Sequence, residues 1–250
     1  MGWFEVDVND EIATVALARG KVNALNGEVV AELAGHLDSL ESNQDVRALV
    51  LTGRGKFFSF GFDIPEFLSF PRERFAEFVT DFTKLYMRLF LYPKPVVAAL
   101  NGHAIAGGCM LALACDSRLM VPGGARISLN EIAFGSSVFA GATEMLRFWV
   151  GSANATRILT SGAMFTAPEA RVLGLVQDVL PEEDVLPEAV RVAANLASKH
   201  PDAFASIKSL LRRPVADEMA RRERDSIREF IGIWYSPRTW ANLREIKIHS

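Results

Sequence analysis

Apolar and polar positions alternate from Trp3 to Val8 and again from Ile12 to Leu17, with Asn9-Asp10 between them, which predicts an opening β-hairpin. Ala18 to Leu25 follows as a loop of small residues with two cations, Arg19 and Lys21. The period then changes. Val29, Val30, Leu33, Leu37 and Leu40 fall on one face of a helix that Asn26 can cap. Arg47 to Thr52 and Pro95 to Leu100 are short, continuously apolar runs, the pattern of strands buried on both faces, closed by Gly53-Arg54-Gly55 and Asn101-Gly102. Between them a helix can start near Pro65, and the stretch from Glu66 to Leu91 has helical amphipathicity. Ala106-Gly107-Gly108 opens a second apolar run, Cys109 to Ala114, that suits a buried helix.

Ile127 to Leu129 predicts a short strand, ahead of a small-residue stretch from Ala133 to Ala142. Beyond Leu146 helices dominate: Ala153 to Leu159, Pro168 to Leu173, Leu186 to Ser198, Ala203 to Leu211 and Val215 to about Trp234, with a single strand at Gly174 to Leu180. Strands alternating with helices as far as Val121 define a layered α/β protein without a linker.

Composition narrows the function classes. With 250 residues, 50% of them hydrophobic and 23% charged, the chain can bury one sizeable core. A net charge of -3 argues against a nucleic-acid or membrane-surface partner, although residues 201–250 are locally basic. Cys109 and Cys115 both lie in the apolar run after Gly108 and read as small core side chains, so no metal site is expected. The N-terminus has neither a signal-peptide nor a myristoylation pattern and no run could span a bilayer, so the expected location is cytoplasmic.

Three pieces carry candidate chemistry. Two glycines at a helix N-terminus let other atoms approach amides that have no partner inside the helix, and an oxygen gaining negative charge would be stabilised there; tight helix-on-strand packing is the other reading. Gly61 sits in the aromatic cluster Phe57 to Phe62, and a bend there could turn the Phe62 N–H toward the same cavity as Gly107, so that two amides converge on one oxygen. Glu131 follows Leu129-Asn130 and precedes the apolar Ile132 to Phe134, a setting that raises a carboxylate's pKa and suits a proton carrier, the alternative being a surface or capping carboxylate.

The loop Asn23-Ala24-Leu25, the segment FFSFGFDIPEF, the run PVVAALNGHAIAGGCMLALACD and the later LTSGAMFTAPEARVLGLVQDVLP together resemble, in order and spacing, the enoyl-CoA hydratase/isomerase (crotonase) superfamily over nearly the whole chain. The resemblance implies an α/β spiral of repeated ββα turns over residues 1–195, and a helical region over 196–250 used to form a homotrimer or a dimer of trimers. It also implies an acyl-CoA thioester as substrate, coenzyme A being part of that substrate and no separate cofactor being needed, with the thioester oxygen held by the N–H groups of Phe62 and Gly107. Adenine and pantetheine would lie against the backbone of Asn23 to Leu25 and Phe60 to Ile64, which includes Ala24, Gly61 and Asp63. Lys21 is the first candidate for the phosphates, then Arg19, with Arg244 and Lys247 as lesser ones. Asn130 orients the substrate or simply forms a turn.

Hydratases of the superfamily use two glutamates; here the first position holds Met110 and the second Glu131. One carboxylate suffices to shuttle a proton, so the resemblance is closest to the Δ3,Δ2-enoyl-CoA isomerases, which share the Leu-Asn-Glu ending and an Arg-Asp-rich helix like Arg222 to Asp225. The dienoyl-CoA isomerase branch would want an acid near position 139, where Phe139 stands. The competing functions are hydration or thioester hydrolysis on the same fold, and a non-catalytic CoA-binding scaffold. His103 is expected to be a packed turn residue, and Glu144 an ion-pair partner of Arg147.

Overall fold

The computed structural model describes residues 2–246. Strands β1 (Phe4–Asn9) and β2 (Ile12–Leu17) form the expected hairpin, turned by Asp10 and Glu11 at φ of 47° and 66°, as a twist-matched two-residue turn requires. β2, buried at nearly every position, continues into a parallel sheet through β4 (Ala48–Gly53), β7 (Val96–Leu100), β9 (Ser117–Met120) and β11 (Asp178–Val179). β4 and β7 are buried throughout, which is why their sequences run apolar without alternating.

Each of β2, β4, β7 and β9 is followed by a short strand in a second layer and then by a helix. After β2 come β3 (Ala24–Leu25) and α1 (Gly27–Ser42). After β4 come β5 (Phe57–Ser59), β6 (Gly61–Phe62), α2 (Ile64–Phe67) and α3 (Arg72–Phe90). β7 leads to β8 (His103–Ile105) and α4 (Gly107–Ala114). β9 leads to β10 (Ile127–Ser128), a 3-10 turn at Glu131–Phe134 and α5 (Ala140–Ser161). The second layer consists of β10-β8-β5 and β3-β6, so successive ββα turns stack as a spiral. Asn26 caps α1, accepting from Val29 N at 3.1 Å, and α1 buries the five apolar residues that its spacing indicated.

Several elements differ from the sequence expectation. The stretch Glu66 to Leu91 is two helices, because Pro71 lacks an N–H and α3 begins after it. α5 starts well before Leu146, so the small-residue stretch ends in helix, and it kinks at Gly151, whose φ is 73°. β11 is two residues long: α6 (Ala167–Leu173) closes on Gly174 at φ of 80°, and Leu175 N still donates back to Ala170 O at 2.8 Å, so pairing starts only at Asp178.

α7 (Glu182–Ala197) precedes a single helix α8 (Pro201–Trp234) that runs through Pro214, where two helices were expected. Contacts on both sides of the proline hold α8 to the core. Lys208 Nζ and Arg212 lie 2.7 and 2.9 Å from the Asp116 carboxylate, and Met219 is fully buried. α9 (Pro237–Glu245) completes the described chain. Among the described residues no helix is long and apolar enough to cross a membrane.

Candidate active site

The site begins where two turns of the spiral touch. Gly61 has φ of +91°, and a Cβ built on it would lie 2.8 Å from Ile105 O and 3.0 Å from Gly107 N. A Cβ on Gly107 would in turn lie 3.1 Å from the Phe62 ring. Gly61 is therefore required by close backbone approach and by its positive φ, whereas Gly107 leaves room for the Phe62 ring. The strand around Gly61 is tied to the previous turn: Phe60 N donates to Val22 O at 3.0 Å and Asp63 N to Leu25 O at 2.9 Å. Because successive N–H groups of a strand point to opposite sides, the Phe62 N–H faces away from β3. The Gly107 N–H, first in α4, has no acceptor inside its helix.

Ala106, just before α4, has φ of 49° and ψ of -117°, a conformation that costs a side-chain-bearing residue about 1–3 kcal/mol. It is held there by its own N–H on Ser128 O at 2.8 Å and by Met110 N on its carbonyl at 3.0 Å. Nothing in the sequence signalled this strain, since alanine rarely adopts positive φ.

These backbones border a cavity of about 280 Å3. Phe60, Phe62, Ile64, Gly107, Asn130 and Glu131, all singled out from sequence, line it together. Met110 lines it too, at 1% exposure. Phe139, Phe230, Trp234 and Ile246 complete the apolar wall. The C-terminal contributors were not anticipated, although Phe230 and Trp234 stand four apart on one helix face and could have been found that way. Helix α3 stands behind this wall: Phe78 and Phe82 meet the Phe62 ring edge-on at centroid distances of 4.9 and 5.0 Å.

Glu131 opens the 3-10 turn after Asn130 and is the buried residue of that turn, at 5% exposure. Burial pushes its carboxyl pKa up to about 8. Its Oε2 and the Asn130 Oδ1 are buried without a hydrogen-bond partner in the protein. The sequence placed the apolar surroundings of Glu131 in its neighbours, but Ile132 is 49% exposed. Leu129 is buried, and Ala133 and Phe134 line the cavity with Glu131, so the expected neighbours supply part of the desolvation and the walls contributed by other elements the rest.

The remaining predicted residues lie around this centre. Ala24 and Leu25 form β3, opposite Gly61 and Phe62. Lys21 is exposed on the preceding loop, outside the cavity lining. Arg19 is engaged internally: it pairs with Asp63 at 2.8 Å and donates to Ala24 O at 3.0 Å, so it braces the loop rather than offering an open charge. The Asp63 carboxylate is likewise committed, capping α2 through Glu66 N at 3.2 Å. Arg244 carries its guanidinium 5.9 Å from the Trp240 ring, and Lys247 lies outside the described residues. His103 packs on Phe57 with ring centroids 4.9 Å apart, and burial lowers its pKa. Glu144 pairs with Arg147 as expected and also with Arg222. Both cysteines are buried and unpaired, and burial raises their thiols.

A spiral of ββα turns in which the Gly61 and Gly107 segments approach each other beside an apolar cavity that holds a buried acid defines a class, and comparison with known proteins gives the family. The enoyl-CoA hydratase/isomerase profile matches residues 7–230, and the chain belongs to that family. It is 31% identical over 221 residues to the mitochondrial enoyl-CoA delta isomerase 1 of Rattus norvegicus, covering 88% of this chain and 76% of the relative. It is 35% identical over 191 residues to the 2,3-dehydroadipyl-CoA hydratase of Escherichia coli, covering 76% of this chain and 73% of the relative. The crystal structure of human mitochondrial Δ3,Δ2-enoyl-CoA isomerase superposes with a TM-score of 0.92 at 27% identity, covering 97% of this chain and 95% of that one. The fold is thus the crotonase fold.

Proposed function

We propose that the protein is an isomerase that converts 3-enoyl-CoA to 2-trans-enoyl-CoA, with Glu131 as its single proton shuttle. The observation that carries this reading is the pair Met110 and Glu131: both line the cavity, and the position where hydratases of the family hold a second acid is apolar. Hydration must position a water and move its proton, which normally takes two carboxylates. Isomerisation needs one.

The Glu131 carboxylate takes a proton from C2 of the acyl chain, a position acidified by both the carbonyl and the C3–C4 double bond. The electron pair moves into a dienolate whose charge rests on the thioester oxygen. The N–H groups of Phe62 and Gly107 donate to that oxygen, each contributing about 3 kcal/mol to the transition state. Protonated Glu131 then returns the proton to C4, leaving the conjugated product. A partly protonated resting state, set by the raised pKa, suits a group that must act as base and acid in turn.

Coenzyme A enters as part of the substrate, against β3 and the Phe60–Ile64 segment with Lys21 nearby, and no step calls for a separate cofactor. Assembly as a homotrimer or dimer of trimers in the cytoplasm completes the reading; exposed Ile207, Leu210 and Leu211 on α8 supply an apolar face for it. Incubation with cis- and trans-3-hexenoyl-CoA, followed at the absorbance of the conjugated thioester, tests the activity. Absence of turnover on both, or faster water addition to crotonyl-CoA, rejects it.

A further inference from the structure

α5 begins immediately after Phe139, and Phe139 offers its first amides no side-chain cap. The caps come from α8 instead. Glu223 Oε2 accepts from Gly141 N at 2.9 Å, and Ser226 Oγ accepts from Ala140 N at 3.0 Å. The other Glu223 oxygen accepts from the Tyr86 hydroxyl on α3. Glu223 and Tyr86 are 7% and 0% exposed, and neither lines the cavity. A Cβ on Gly141 would overlap the Tyr86 hydroxyl, so the glycine is there to let this junction close. Directly above the junction, the Phe139 ring meets the Phe230 ring edge-on at 4.7 Å and stacks toward Phe62 at 6.3 Å.

We propose that Glu223, with Ser226, is a positioning residue: by capping α5 from another helix it holds the Phe139 wall of the cavity in place and so sets how long an acyl chain the site admits. The proposal rests on the acyl-CoA reading above. Without the cap the first turn of α5 frays, Phe139 withdraws from Phe230, and the cavity deepens. Short chains fill less of the cavity and gain less from the added depth.

The test measures calorimetric binding of saturated acyl-CoAs from butyryl to decanoyl, which are not turned over. In Glu223→Ala the affinity ratio shifts roughly tenfold toward the long chains, the scale of a methylene-sized change in a hydrophobic pocket, while butyryl-CoA affinity stays within about twofold. Ser226→Ala shifts the ratio in the same direction by less. Glu223→Gln keeps the wild-type ratio, because the amide oxygen still accepts from Gly141 N. An unchanged ratio in both alanine variants, or an equal loss at every chain length, overturns the proposal. If Glu223→Ala fails to fold, Ser226→Ala decides alone. A wild type that binds the series without isomerising 3-enoyl-CoA rejects the isomerase reading but leaves the ratio decisive for Glu223. A wild type that binds none of the series overturns both.

Discussion

A Cβ on Gly61 would lie 3.0 Å from the amide nitrogen of Gly107, so two segments about 45 residues apart in sequence meet backbone to backbone at the cavity. Gly61→Ala is therefore expected to lower kcat/KM for 3-enoyl-CoA by roughly 10²-fold or more by spoiling the amide pair. It also carries a conformational cost of about 1–3 kcal/mol at φ of +91°. Gly55→Ala is the control, with φ of +73° but open space around its Cβ position; it should lose stability without losing activity. Equal activity losses in the two variants would show that strain, not the approach to Gly107, is what matters.

Glu131→Gln removes the proton carrier but keeps its shape. Turnover should fall by about 10³-fold while acyl-CoA affinity, measured by calorimetry, changes little. Retained turnover would eliminate Glu131 as the shuttle.

The same residue predicts a pH signature. Its folded pKa of about 8 lies above the ordinary carboxylate value of 4.5, so between the two the folded state holds a proton that the unfolded state has lost. Its contribution to stability is complete below pH 4.5 and is lost as pH rises to about 8, at about 1.4 kcal/mol per pH unit. Glu131→Gln should thus gain on wild type in urea melts as pH rises from 5 to 8. In wild type, kcat/KM should rise with pH and level off above about 8, as the free carboxylate forms.

Much of this site was legible because its parts obey local rules. Asn26 as a cap, the α1 face and the glycine-opened α4 all follow from periodicity and turn chemistry. Gly61 and Gly107 could be paired because a glycine after a buried strand asks for a close neighbour. What escaped depended on distant partners. Phe230, Trp234 and Ile246 reach the cavity only because α8 and the segment after it fold back. The continuity of α8 through Pro214 depends on Asp116, almost a hundred residues upstream. Arg19 looked like an open cation from its loop, yet Asp63 and Glu66, on another turn of the spiral, had already claimed it.

Met110 is the residue on which the choice of reaction turns. Met110→Glu would place a second carboxylate in the same cavity as Glu131, and should bring measurable water addition to crotonyl-CoA where wild type shows little. The added acid would be buried beside another, so its pKa should be raised and the gain should grow with pH. A wild type that already hydrates crotonyl-CoA faster than it isomerises would reverse the assignment drawn from Met110.

The last prediction concerns what keeps α8 over the cavity. Asp116 accepts from Val96 N at 2.7 Å and faces Lys208 and Arg212, whose side chains are 5% and 4% exposed. Burial lowers the Lys208 pKa to about 8 and outweighs the attraction of Asp116, so this lysine is charged at a cost that the carboxylate partly offsets. Asp116→Asn leaves two buried cations with no counter-charge and should cost about 3–5 kcal/mol in urea unfolding. Adding Lys208→Met should recover part of that loss, because an unpaired buried ammonium is worse than an apolar chain of similar size. Activity should follow stability in both variants, since Phe230 and Trp234 reach the cavity from the same helix. A single variant as stable as wild type would mean that apolar packing alone seats α8.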